Sequence, residues 1–213
     1  MKISRRSALF TAILSGLAPA LMLASPAAAQ DAAATPAPRA PLAALAPEGI
    51  QGNPEWQLAL DLSTGGRVVI QLRPDAAPAH VERIKTLARQ GFYNGLTFHR
   101  VIEGFMAQGG DPRGNGSGGS TLPDLNSEFN DLPHVRGAVS MARAESPNSA
   151  NSQFFIMLLP RLSLDRNYTV FGRVVSGMEF VDRMEVGEPP ANPSRIVQAS
   201  IVADNSPPPP PGI

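Results

Sequence analysis

The sequence predicts a mainly β fold, a closed antiparallel barrel, and three observations point there. Short runs of apolar and β-branched residues recur along the chain from Trp56 onward. Only two stretches switch to a helical period. The segments between runs are long and rich in Gly and Pro, where parallel βαβ units would place crossover helices.

Taken in order, Trp56–Leu62 and Arg67–Leu72 read as two strands, with Ser63-Thr64-Gly65-Gly66 between them as a hairpin signal. Residues 78–90 change period. Val81, Ile84, Leu87 and Ala88 fall on one face, Pro78 suits the first turn, and Gly91 stops the helix. That stripe is expected to cap an open end of the sheet. The run 97–110 reads as two short strands flanking a Glu103-Gly104 turn. Asp111 to Pro133 reads as loop. Strands are expected at 137–142, 153–158 and 168–174, then a short helix over 177–184 with Met178, Phe180 and Val181 inward. A last strand, Ile196 to Val202, completes the set.

A chain of 213 residues suits one domain with appendages. The expected organisation is a signal peptide over 1–29, a linker over 30–53, a folded domain over 54–204 and a tail over 205–213. Lys2, Arg5 and Arg6 precede an apolar stretch that ends in Ala27-Ala28-Ala29, the plan of a secretory signal cleaved after Ala29. Gly16 and Pro19 break that stretch, which makes it marginal for spanning a bilayer. The expected product is exported, periplasmic or secreted, with no stable membrane insertion. Ser4-Arg5-Arg6 resembles the start of a twin-arginine signal only loosely, so the export route is left open. The linker is dominated by Ala and Pro and has no periodicity. Pro207 to Pro211 read as a polyproline II tail.

Charge and composition remove several function classes. Of 18 Lys and Arg, three lie in the first 29 residues, leaving 15 basic against 18 acidic groups. Such a chain has no electrostatic footprint for nucleic acid. Cysteine is absent, which removes disulfides, thiol catalysis, Cys-ligated zinc and a lipidated cysteine anchor. His80, His99 and His134 lack metal-ligand spacing, so no metal is expected; each reads as a surface or hydrogen-bonding residue. Gly114, Gly116 and Gly119 formally spell Gly-x-Gly-x-x-Gly, but Ser-Thr-Leu-Pro-Asp follows, which does not open a helix, so nucleotide binding is rejected. No Gly-x-Ser-x-Gly elbow is present. Neither covalent nor acid–base machinery is convincing, and no cofactor is expected.

The stretch that organises the chain is Thr97-Phe98-His99-Arg100-Val101-Ile102-Glu103-Gly104-Phe105-Met106-Ala107-Gln108-Gly109-Gly110. Strand alternation sends Phe98, Arg100 and Ile102 to one face, and His99 and Val101 to the other. An arginine among apolar side chains needs a reason, because desolvating a guanidinium is costly. By position, His99 orients the sheet or a loop.

Together with SQFFI at 152–156 and LDRNYTVFGRV at 164–174, the run FHRVIEGFMAQGGD at 98–111 closely resembles the cyclophilin-type peptidyl-prolyl cis-trans isomerases, over roughly residues 56 to 203. The resemblance implies an eight-stranded barrel capped by two helices, its site on the outer face and its interior filled with side chains. It implies that Arg100 is the catalytic arginine and that Gln108 hydrogen-bonds and holds it. Phe105, Met106, Phe155 and Leu164 line the proline pocket, with Tyr168 where a histidine is common. Ala142, Arg143, Ala144 and Gln153 form the edge that binds substrate backbone. Two departures stand out. Ser163 replaces a tryptophan that helps bind cyclosporin in many members, which puts that inhibition in doubt. Arg143 replaces an asparagine and makes the rim more cationic. The expected partners are proline-containing unfolded or partly folded polypeptides. The alternative is a catalytically weak holdase of the same fold, and nothing demands more than a monomer.

Overall fold

A computed structural model describes residues 45–210. The expected signal peptide, most of the expected linker and the last three residues lie outside the described residues. Eight strands form one antiparallel sheet: β1 (Gln57–Leu62), β2 (Gly66–Leu72), β3 (Arg100–Ile102), β4 (Met106–Gly109), β5 (Ala138–Met141), β6 (Phe154–Met157), β7 (Val170–Ser176) and β8 (Ile196–Ile201). Helix α1 (Pro78–Arg89) follows β2, and the short α2 (Met178–Val181) follows β7. Across the sheet the order is β3-β4-β6-β5-β7-β2-β1-β8.

The expected barrel is met with one qualification. Strands β3 and β8, at the two ends of the order, share no continuous ladder. The seam is closed by residues flanking them: Gly95 N–H donates to the Ile196 carbonyl at 2.7 Å, Ile196 N–H to Leu96 at 2.9 Å, and Phe98 N–H to Ser194 at 2.8 Å. Register shifts at Asp61/Leu62, Val69/Ile70 and Val139/Ser140 bend the strands in the way bulges do. The first of these also explains why β8 buries Ile196, Ala199 and Ile201 instead of strict alternates.

Two separate apolar clusters follow from the alternation of side chains along each strand. The inner one fills the barrel with Leu58, Leu60 and Leu62 of β1, Val68, Ile70 and Leu72 of β2, and Phe154 and Ile156 of β6. Phe154 meets Tyr93, Phe98 and Phe171 edge-to-face at centroid distances of 5.7, 6.2 and 6.5 Å, the geometry aromatic quadrupoles favour. Helix α1 adds Val81, Ile84, Leu87 and Ala88 to this cluster, and α2 adds Val181 with Met178 and Phe180 packed against it. Ala77 offers no side-chain cap; the first amides of α1, at Ala79 and His80, instead donate to the Glu128 carboxylate at 3.2 and 3.1 Å. The outer cluster comprises Ala76, Met106, Leu132, Ala138, Phe155, Met157 and Val170.

Phe98 departs from the expected face. It is fully buried in the inner cluster with Val101, on the opposite side from Arg100. The ladder begins only at Arg100; Thr97 makes an isolated bridge to Arg195 across the seam, and strict alternation does not hold through the turn of chain between them. The expectation of surface or hydrogen-bonding histidines holds through hydrogen bonds for His80, with Glu128 at 2.6 Å, and for His134, and fails for His99, whose ring is buried without a partner. None of the three is a surface residue: His80 and His134 are fully buried and His99 is 5% exposed.

The segment just before Asn53 is tied down. Gln71 on β2 donates to the Ile50 and Trp56 carbonyls and accepts from Gly52 N–H, all within 2.8–2.9 Å. At the other end, the Arg67 guanidinium donates to the Ser206 carbonyl at 3.4 Å. Among the described residues no helix is long and apolar enough to cross a membrane.

Candidate active site

The site is built on one lateral row of the sheet. Arg100 on β3 stands opposite Gln108 on β4, Gln108 opposite Phe155 on β6, and Phe155 opposite Ser140 on β5. Directly opposed residues hold their Cβ atoms about 4.5–5.5 Å apart, so four residues distant in sequence share one strip of the outer face. The next row, Ile102, Met106 and Met157, supplies the apolar flank. Between β3 and β4 the chain reverses at Glu103 and Gly104, with Gly104 at φ +66°, a conformation that favours glycine. Leu164 arrives from a 3-10 turn at Leu162–Leu164, and Tyr168 follows it.

These residues enclose a recess of about 130 Å³ lined by Arg100, Phe105, Met106, Gln108, Ala142, Arg143, Phe155, Leu164 and Tyr168. That is below the roughly 300–1,000 Å³ of pockets that swallow a whole ligand, and it suits one small side chain. All the residues expected at the site line this recess except Ala144 and Gln153. Those two line an adjoining cleft of about 410 Å³, together with Gln108, Ala142, Arg143 and the glycine-rich loop at 116–119. The recess therefore opens into a longer groove along the backbone-binding edge.

The polar groups are held in specific ways. The Arg100 side chain keeps 40% of its surface exposed, and its Nε donates to the Glu188 carboxylate at 2.5 Å. Gln108 does not make the bond to Arg100 that the resemblance implied; its amide donates to Gln153 Oε1 at 2.9 Å. Gln153 in turn donates to the Gly116 and Gly118 carbonyls at 3.0 and 2.7 Å, which ties the loop to the site. The loop's own amides turn inward: Arg113, Asn115 and Gly116 N–H donate to the Asp111 carboxylate at 2.6–3.0 Å. Burial alone would raise the Asp111 carboxyl, yet those bonds leave it below its ordinary value. Arg143 folds over Tyr168, its guanidinium carbon 4.8 Å from the ring centroid, and donates to the Asn167, Ala144 and Glu145 carbonyls.

Beneath the recess lies an arrangement that no sequence pattern announced. His134 Nδ1 meets Asp165 Oδ1 at 2.8 Å and its Nε2 meets Ser140 Oγ at 3.0 Å. The carboxylate can only accept, so Nδ1 carries the proton and the Ser140 hydroxyl donates to Nε2. The order Ser-His-Asp is that of a nucleophilic triad, but Ser140 is fully buried and cannot meet a substrate. The imidazole instead stacks 6.1 Å from Phe155 and stands edge-on to Tyr168 at 6.4 Å, backing two walls of the recess. Burial lowers the His134 basicity despite the pull of Asp165. His99 was expected on the other face from Arg100, orienting a loop or the sheet; it lines one cleft with Arg100 and the loop residues Asn115 and Gly116, and both its ring nitrogens are buried with no hydrogen-bond partner.

Sequence reasoning also missed Glu188. It follows Arg100 by 88 positions, inside Gly187-Glu188-Pro189-Pro190, and no motif marks it. Only the bridge that lays Gly187 against Val101 brings it to the site.

The family model for the cyclophilin type peptidyl-prolyl cis-trans isomerase matches residues 59–201. A Brucella suis protein named a probable peptidyl-prolyl cis-trans isomerase is 50% identical over 168 residues, covering 71% of this chain and 85% of that one. Peptidyl-prolyl cis-trans isomerase B of Bacillus subtilis is 45% identical over 128 residues, 60% of this chain and 89% of that one. Among solved structures, the cyclophilin AquaCyp293 from Hirschia baltica superposes with a TM-score of 0.67 at 31% identity, covering 73% of this chain and 77% of that one. A Cryptosporidium parvum cyclophilin crystallised in the presence of the dipeptide Ala-Pro gives 0.64 at 28% identity, with 68% and 98% covered. The chain belongs to the cyclophilin-type peptidyl-prolyl cis-trans isomerase family, and its class of enzyme is that of the prolyl isomerases.

Proposed function

We propose that the recess takes the proline ring of an extended client chain and that Arg100 lowers the barrier to rotation of the preceding peptide bond. That barrier, about 18–20 kcal/mol, is the loss of amide resonance. At the twisted transition state the proline nitrogen regains a lone pair. A fixed donor aimed at it binds the twisted amide more tightly than either planar form, which is what accelerates the step. A guanidinium suits the task because it keeps its charge and presents several rigid donors. Phe105, Met106, Phe155, Leu164 and Tyr168 hold the ring and keep water from one side of the rotating bond. The adjoining edge at Ala142, Arg143, Ala144 and Gln153 takes the client backbone.

The single observation that carries this reading is the position of Arg100: it lines the apolar recess and still keeps 40% of its side chain open to solvent. The Ala-Pro dipeptide used with the Cryptosporidium parvum relative supports the same ligand chemistry here. In a protease-coupled assay on a proline tetrapeptide, Arg100→Ala is expected to lose about 10²–10³-fold in kcat/KM, the size seen when one preorganised donor is removed. Its melting temperature should stay within about 2 °C of the parent, since the side chain is half-exposed. Turnover near the parent's would discard the role of Arg100; weak turnover in the parent, with aggregation still suppressed by Arg100→Ala, would leave a proline-binding holdase as the better account. The clients, in this reading, are polypeptides outside the cytoplasm, because residues 1–29 have the composition of an export signal.

A further inference from the structure

The catalytic guanidinium is held from a direction the rest of the site does not supply. We infer that Glu188 is the positioning residue for Arg100; the inference rests on the role given to Arg100 above.

Two observations carry it. First, the contact is delivered by backbone. Gly187 N–H donates to the Val101 carbonyl at 2.9 Å and Val101 N–H donates to Gly187 at 2.8 Å. This closed pair clips the 187–190 segment to the outer edge of β3, one residue from Arg100, so the carboxylate of Glu188 has little chain to search before it meets Nε. Ordering costs are lower when the partner is already placed. Second, the usual alternative is engaged elsewhere. Gln108, directly opposite Arg100 on β4, donates its amide to Gln153, and Gln153 is itself bonded to the glycine-rich loop.

Arg100 lies between two cavities: the proline recess, and a cleft of about 480 Å³ lined by His99, Arg100, Asn115, Gly116, Glu188 and Pro189 among others. Glu188 lines the cleft and not the recess. A guanidinium has one N–H at Nε and four at its terminal nitrogens, in a rigid plane. With Nε taken by Glu188, rotation of the plane is restrained and the terminal donors stay free for the amide nitrogen in the recess. The pair also lowers the net charge at the rim without occupying the proline site. Nearby acids do not compete for the role, since Asp111 is engaged by the loop amides.

The test measures kcat/KM, the affinity for a proline peptide and the Arg100 Nε–H resonance in the parent, Glu188→Ala, Glu188→Gln, Arg100→Ala and the Glu188→Ala, Arg100→Ala pair. Glu188→Ala is expected to lose about three- to tenfold in kcat/KM, mostly in kcat, while peptide affinity changes less than about twofold. Glu188→Gln, which keeps an acceptor oxygen, should recover part of the loss. The Nε–H resonance should move in Glu188→Ala, and the melting temperature should not. With Arg100 already replaced, Glu188→Ala should have no further effect, because the residue acts through the guanidinium. An unmoved Nε–H resonance, unchanged or faster turnover in Glu188→Ala, or an equal loss in the Arg100→Ala background would each overturn the inference. Arg100→Ala with parental turnover would instead overturn the functional reading beneath it, so the two failures are separable.

Discussion

At the scale of single residues, buried polar groups set how this protein responds to pH. His80, His99 and His134 are all displaced below the ordinary histidine value, and in each the leading cause is burial, which disfavours the charged ring. Glu128, Asp111 and Asp165 pull in the other direction and do not win. In the unfolded chain these rings titrate near pH 6.5. Below that pH the unfolded state binds more protons than the folded one, so stability is fully present above about pH 6.5 and falls as pH drops toward the folded values. The melting temperature is therefore expected to be lower at pH 5.5 than at pH 7.5. Replacing His134 with Gln should reduce the proton uptake on unfolding across this window by about one. An unchanged pH slope in His134→Gln would show that the ring is not held neutral. That ring is also the least legible functional feature of the sequence. No spacing motif links His134, Ser140 and Asp165, and only the folding of three segments onto one another puts them under Phe155.

At the scale of elements, the site depends on β4 lying correctly between β3 and β6. The strand is only four residues long, and it ends at Gly109 before Gly110 turns the chain with φ +82°. A Cβ on Gly110 would stand 2.5 Å from the Ser152 carbonyl oxygen, a backbone atom that has no easy way to retreat. Gly110→Ala combines that collision with a left-handed backbone, and it is expected to cost about 2–4 kcal/mol, read from urea unfolding. The loss should come with weaker turnover, since Gln108 and the row it anchors would shift. A stability within about 0.5 kcal/mol of the parent would refute this account of the turn. The elements themselves were largely legible. Helix α1, the β1–β2 hairpin, β5, β6, β7 and β8 fall where periodicity, Pro78, Gly91 and the glycine-rich turn placed them, with ends displaced by a few residues. The face of Phe98 was not legible, because period-two reasoning assumes a continuous ladder and the chain there crosses a seam.

At the scale of the whole molecule, the barrel keeps two apolar clusters apart, one filling it and one covering part of its outside. The first fills the barrel, and Met106 and Phe155 of the second line the recess, so the proposed substrate site lies outside the core. The segment from residue 45 onward belongs to this unit through Gln71, which bonds Ile50 and Gly52. A chain processed after Ala29 would keep that anchor. Protein recovered outside the cytoplasm is thus expected to begin at Gln30 by mass, with the full kcat/KM; recovery of an uncleaved chain in the cytoplasm alone would sink the export reading. The sequence by itself determined the strands, the main helix and the family. It did so because side-chain periodicity and long runs such as FHRVIEGFMAQGGD are local properties that need no partner to be read. Tertiary structure alone decided the seam between β3 and β8, the support of His134 beneath Phe155, and the pairing of Arg100 with Glu188 rather than Gln108. Each of these joins groups far apart in the chain, and their encounter follows from sheet register and backbone bridges that no single stretch encodes.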